Sequence, residues 1–303
     1  SVTIHCGIFE YLYSCGWFVH SDLIRYSVIV RKKTMENKIT SLHTFVICAY
    51  GESPYLEDCL ISLKNQVYAS QVLIYTSTPN QLIDHLADKY QVPVVTKEGG
   101  GIGRDWNNAL SFVKTPYATI AHQDDIYLST YSKEVMERFV SHPEATIVFS
   151  NYAEYRNGAV VETNLNLKIK NTLLKAMNFF PKSKFWRQRI LSLGNPISCP
   201  AVSYHLTKLP GFQFSEDWRT NLDWYAWYVI SSQYQGSFNY IEKPLMYHRI
   251  HEDSETSNTI RENVRTKEDL AMFSLFWPHW FVPILGYFYV KSQHSNTVEK
   301  EKK

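Results

Sequence analysis

Two adjacent carboxylates, Asp124 and Asp125, end an apolar run in "IAHQDDIYLST". Like charges side by side repel, and each resists losing its water. A divalent cation or a ribose would make such a pair useful at the tip of a buried strand. The plain structural reading is a solvated turn with a helix cap. Asp223 opens the aromatic run "LDWYAWYVISS", where the helix dipole favours an acid. It reads as a cap, or as a proton acceptor if it faces a substrate. Gly99, Gly100, Gly101 and Gly103 in "GGGIG" would let backbone approach a diphosphate closely, or would form a loop with no ligand. The run is neither G-x-G-x-x-G after the first strand nor G-x-x-x-x-G-K-[ST], so the dinucleotide and P-loop readings fail on position and residue type.

The elements that must hold these residues alternate. "LHTFVICAY", "QVLIYT", "VPVVT" and "YATIAHQ" read as buried strands. Between them, "ESPYLEDCLISLKNQ", "STPNQLIDHLADKY" and "RDWNNALSFV" read as helices. Ser53 and Thr78 are the expected N-caps, with Pro54 and Pro79 in the first turns. This alternation predicts βαβ units around a parallel sheet, whose ligands bind beyond the carboxyl ends of the strands. "AYGE", "TSTP", "GGGIGRDWN" and "HQDD" all fall at those ends. In the second half, "GNPISCPAVSYHL" reads as a turn and strand. Leu222 to Ser232 reads as a helix that Gly236 ends, and "FNYIEKPLMYHRIHEDSET" as a strand and polar loop.

Composition bounds the function. The 303 residues are 45% hydrophobic, ample for a large core in one or two domains. A formal net charge of +2 gives no global field for nucleic acid, and none is expected as a partner. Five scattered cysteines without a C-x-x-C argue against a disulfide framework or a zinc site and for a reducing compartment.

Four of these stretches, in order, resemble the motifs of family 2 glycosyltransferases with the GT-A fold. "TFVICAYGESPYLEDCLISLKNQ" resembles the opening strand and helix, and "HQDDIY" the D-x-D-type motif. "LDWYAWYVIS" resembles the acceptor-side motif that carries the base, and "YHRIHEDSET" the closing R-x-H-x-x-S segment. The resemblance implies a GT-A-like, mostly parallel central sheet flanked by helices, with an acceptor-side α+β half. It implies a nucleotide-sugar donor, a UDP-sugar first, bound by Ala49, Tyr50, Glu52, Thr76 or Ser77, Asn107, Gln123 and Asp124. It implies a Mn2+ or Mg2+ cofactor on Asp125, with His251 completing the shell or binding the diphosphate. Asp223 would be the base for a single displacement with inversion. Gln123 stands at the first position of the D-x-D-type motif, Trp106 replaces a family Arg, and the second strand ends without the usual Asp.

The expected organisation is an N-terminal extension over 1–37, a donor half over 38–150, an acceptor and base half over 151–268, and an aromatic segment with a charged tail over 269–303. Met35 precedes the regular pattern and is a candidate natural start. Leu270 to Val290 holds no Asp, Glu, Lys or Arg but is broken by Pro278 and Pro283. It is expected to lie at a membrane interface rather than span it, with a final helix packed on the domain as the alternative. The function expected is transfer to a glycan or lipid-linked acceptor in polysaccharide or cell-surface glycan synthesis, in the cytoplasm and peripheral at the inner membrane face. The alternatives are a non-catalytic nucleotide-sugar or glycan-binding relative and, more distantly, a nucleotidyltransferase.

Overall fold

The computed structural model describes residues 42–68, 70–156, 158–251 and 264–287. The 1–37 extension, Met35, the closing residues after His251 and the tail beyond Tyr287 lie outside the described residues.

Among the described residues nine strands form one sheet in the order β3-β2-β1-β4-β8-β6-β9-β5, with β7 on β6. β1 (His43–Ala49) pairs in parallel with β2 (Gln71–Thr76) and β4 (Tyr117–His122), and β2 with β3 (Val94–Thr96). The helices between them are α1 (Leu56–Lys64), α2 (Gln81–Tyr90) and α3 (Ile102–Ser111). This half follows the alternation read from the sequence. Strand residues point to opposite faces in turn. Phe45 and Ile47 therefore pack with Leu56, Leu60 and Ile83, while Val46 packs with Trp106 and Ala109 on the other face. Both faces are covered, which is why β1 reads as an unbroken apolar run.

The second half adds β5 (Ile126–Tyr127), α4 (Tyr131–Ser141), β6 (Ala145–Arg156), β7 (Ala159–Val161), α5 (Leu165–Met177) and α6 (Lys184–Leu191). β8 (Val202–His205), α7 (Leu222–Gln233), β9 (Ser237–Arg249) and α8 (Val264–Phe276) complete it. β8 runs antiparallel to both β4 and β6, and β6 runs parallel to β9.

Two expected caps move. α1 begins after Tyr55, and Ser53 Oγ accepts from Tyr55 N, so the serine closes the preceding turn. The cap of α2 is Asn80, whose side chain accepts from Ile83 N, while Thr78 accepts from Gly51 N. Gly236 does not end α7, which stops at Gln233; with φ of +147° it enters β9 against Glu144. Met272 and Phe273 of α8 are buried, and Phe273 meets Trp224 edge-on at 5.4 Å. The segment expected at an interface is therefore core in its first part, while Trp280 and Tyr287 beyond it stand exposed. No helix among the described residues is long and apolar enough to cross a membrane.

Candidate active site

β4 and β5 are joined by a tight turn, closed by Asp125 N donating to His122 O at 3.2 Å. The turn sends its two carboxylates in opposite directions. Asp125 is fully buried. Its Oδ1 accepts from His248 Nδ1 and from Arg249 N, each at 3.0 Å. Its Oδ2 is buried without a hydrogen bond, 3.9 Å from His122 Nδ1. Burial pulls the His248 pKa down, but the Asp125 carboxylate outweighs it and the net shift is upward. Asp124 stays half-exposed and meets His251 Nε2 through its Oδ2 at 2.9 Å. Burial raises the Asp124 pKa, yet the His251 hydrogen bond and then the His122 and His248 charges hold it below the usual value.

Arg249 ties this turn to α1. Its Nε donates to Asp124 O at 2.9 Å and its guanidinium to Asp58 at 2.8 Å. The same guanidinium lies 4.5 Å from the Tyr55 ring centroid and 5.0 Å from that of Tyr155. Tyr55 in turn packs beside His251, 4.9 Å between rings. The end of β9 is thus carried to the ends of β1 and β4, across more than a hundred residues of sequence.

The other expected donor residues divide. Tyr50 is 67% exposed and Glu52 is exposed, on the loop that leaves β1 after buried Ala49. Gln123 does not point outward, because its amide donates to Tyr50 O and accepts from Tyr50 N. It fixes that loop. Thr76 is wholly buried and its hydroxyl accepts from Thr78 N, which leaves Ser77 as the half-exposed hydroxyl at the end of β2. Asn107 spends both ends of its amide on the Phe214 backbone and pins α3 to the segment before α7. Gly103 is needed there, since a Cβ would run into Ser215 O. Asp105, not singled out from the sequence, accepts from Ser77 Oγ at 3.1 Å and Tyr75 OH at 3.0 Å. A carboxylate therefore stands at the end of β2 after all, supplied from α3. Gly99 lies against this pair, where a Cβ would sit 2.6 Å from Ser77 Cβ.

Asp223 lies at the start of α7. Its Oδ2 accepts from Asn195 Nδ2 at 2.8 Å and its Oδ1 from Trp224 N at 2.7 Å. Loss of water raises its pKa, only partly offset by those two hydrogen bonds. The buried Cys199 thiol is pushed up first by burial and then by the Asp223 charge, with Asp125 contributing further.

The family model described as "Glycosyl transferase family 2" matches residues 44–199. The chain belongs to that family. Residues 1–349 of S. aureus TarS superpose on this glycosyltransferase with a TM-score of 0.55 at 14% identity, over 76% of this chain and 64% of that one. The same fragment in complex with UDP-GlcNAc gives 0.56 at 15% identity, over 86% and 76%. The mannosyltransferase PcManGT from Pyrobaculum calidifontis, in complex with GDP-Man and Mn2+, gives 0.53 at 14% identity, over 80% and 68%. At these identities the likeness is one of fold, that of the GT-A glycosyltransferases. No curated protein sequence matches the chain.

The glycosyltransferase's own residues allow a test of the cation expected here. Asp124 and His251 bring a carboxylate oxygen and an imidazole nitrogen to one point. Among the described residues no group of three His, Cys, Asp or Glu converges. Magnesium and manganese accept such a partial set, because they retain waters and take substrate phosphates as ligands. The pair fits a cation shared with a diphosphate. Asp125, the ligand expected from the sequence, has one oxygen committed to His248 and Arg249 and the other buried without a hydrogen bond, and its side chain has no exposed surface.

Proposed function

We propose that the chain is a cation-dependent, inverting glycosyltransferase, moving a sugar from a nucleotide-sugar donor, a UDP-sugar first, to a hydroxyl of a glycan or lipid-linked acceptor. The pathway proposed is polysaccharide or surface-glycan synthesis at the inner face of the membrane. The observation that carries this reading is the contact between Asp124 and His251 at the ends of β1 and β4, with a second carboxylate of raised pKa at Asp223.

Asp124 and His251 would hold Mn2+ or Mg2+, which stabilises charge developing on a diphosphate leaving group. Asp125 holds the end of β9 and so places His251. Tyr50, Glu52, Ser77 and Asp105 border the edge where a nucleoside would lie. Asn195 and the Trp224 amide orient the Asp223 carboxylate, which accepts the proton of the attacking hydroxyl as the new bond forms on the face opposite the leaving group. A positioned base contributes roughly 10²–10⁴-fold to such a step. The UDP and UDP-GlcNAc complexes of TarS and the GDP-Man and Mn2+ complex of PcManGT support the donor class and the cation.

A thermal-shift screen of nucleotide sugars, with and without Mn2+, tests the reading, because a bound donor raises stability by mass action. A UDP-sugar that stabilises the chain only with Mn2+ is the expected hit. The lack of a third converging His, Cys, Asp or Glu among the described residues favours one second reading, a non-catalytic nucleotide-sugar or glycan-binding relative. Slow hydrolysis of the bound donor without acceptor separates the two: the enzyme hydrolyses it and the binding relative does not.

A further inference from the structure

The α5–α6 turn and the segment after α8 leave large aromatic side chains uncovered. Phe179, Phe180 and Phe185 are 72%, 59% and 70% exposed, and Trp280 is 75% exposed. Arg189 joins the two groups. Its guanidinium lies 5.6 Å from the Phe185 ring centroid and 5.5 Å from that of Trp277. Trp277 continues to Phe281 at 5.3 Å and Phe281 to Trp280 at 5.5 Å. Phe185, Arg189, Trp277, Phe281 and Trp280 thus form one continuous aromatic surface with a cation in its middle, and Phe179 and Phe180 stand exposed on the turn that precedes α6.

The sequence that forms it is cationic. From Thr163 to Ser215 the chain carries eight Lys or Arg and no Asp or Glu, and Leu270 to Val290 carries no Asp, Glu, Lys or Arg. Lys175 and Lys182 at the margin are paired with Glu242 and Glu144 from other elements, in exposed bridges that water weakens. Arg189 has no carboxylate partner among the described residues, and its Nε is buried without a hydrogen bond.

We propose that this surface docks on an anionic lipid bilayer. Aromatic rings settle at the headgroup level of a membrane, and Arg189 with the exposed Lys184 faces the lipid phosphates. A second copy is a poorer occupant, because an isologous contact would bring the same cationic stretch against itself. The chain runs on from Arg189 through Leu191, whose carbonyl accepts from Trp224 Nε1, to Asn195, which holds Asp223. Docking here would present a membrane-held acceptor to Asp223. That role rests on the transfer reaction proposed above; the docking itself does not.

The full chain is sedimented with vesicles of phosphatidylcholine alone and of phosphatidylcholine mixed with phosphatidylglycerol. The variants are Phe179→Ser with Phe185→Ser, Trp280→Ser, and Arg189→Gln. All are checked by thermal melting and by gel filtration without lipid. The wild-type chain is expected to sediment with the mixed vesicles. Each aromatic variant should bind about ten-fold more weakly at unchanged melting temperature, and Arg189→Gln should lose about five-fold of the preference for anionic lipid. The proposal fails if the wild-type chain stays in the supernatant with both vesicles, or if the folded aromatic variants bind like wild type. It also fails if the lipid-free chain is a dimer that these variants dissociate, which would make a second copy the occupant. A chain that sediments yet transfers no sugar would overturn the reaction and leave the surface standing.

Discussion

Asp124 and Asp125 are neighbours in sequence with opposite surroundings, and their variants should separate accordingly. Asp125→Ala strips the His248 imidazole and the Arg249 amide of their acceptor, so the melting temperature should fall by the equivalent of about 1–3 kcal/mol. Asp124→Asn touches only the half-exposed contact with His251 and should melt near the wild-type temperature. Equal melting of the two variants would show that the buried carboxylate holds nothing. Asp223 allows a sharper test, because its pKa is raised in the fold. A group with a raised folded pKa contributes stability below its unfolded value and loses it as pH rises through the folded one. Ionising Asp223 in the fold therefore costs stability, and Asp223→Asn should melt at or above the wild-type temperature. Asn195 can turn its unpartnered Oδ1 toward the new amide. Transfer should drop by roughly 10²–10⁴-fold in this variant, and the acid limb of the wild-type rate should lie above the ordinary Asp range near pH 3.9. Near wild-type transfer would return Asp223 to a helix cap. The sequence pointed to the paired carboxylates but not to their roles, because which of two adjacent turn residues faces inward is decided by His248 and Arg249, more than a hundred residues away. Asp105 was missed for a similar reason: it reaches Ser77 only once α3 packs beside β2.

Elements explain which parts of the fold were legible. The first four strands and three helices announce themselves because both faces of β1 and β4 are covered and the helices keep a regular apolar stripe. The antiparallel insertion of β8 was legible only as a strand, since four residues carry no sign of their partners. The caps were misplaced because Pro54 and Pro79 sit before the helices rather than in their first turns. α8 carries a link that no local pattern discloses. Glu268 accepts from the backbone amides of Arg219, Thr220 and Asn221 and from the Thr220 hydroxyl, and Asp269 accepts from Asn221 Nδ2. These residues lead directly into Asp223. Burial raises the Glu268 pKa, but those backbone and hydroxyl donors outweigh it and the net shift is downward. Its contribution is therefore present at neutral pH and lost as pH falls through the folded value. Glu268→Ala should lower stability by about 1–3 kcal/mol and slow transfer while leaving donor affinity unchanged. A variant that weakens donor binding instead would place α8 at the wrong side of the reaction.

At the scale of the whole molecule, the carboxyl ends of β1, β2 and β4 collect the residues proposed to bind the donor, and α7, steadied by α8, brings Asp223 from the other half of the chain. The C-terminal segment serves both halves of that design: Met272 and Phe273 close the core under α7, while Trp280 faces outward. Truncation after Lys267 would remove the buried part together with the exposed part, so a chain cut there should unfold rather than simply lose its surface. The central claim is that donor binding depends on a cation held by Asp124 and His251. Calorimetric titration of UDP, with and without Mn2+, into the wild-type chain, Asp124→Asn and Asp223→Asn addresses it most directly. UDP is expected to bind the wild-type chain and Asp223→Asn only with Mn2+, and to lose that dependence and most of its affinity in Asp124→Asn. UDP binding that is equally strong without Mn2+, or unchanged in Asp124→Asn, would contradict the account.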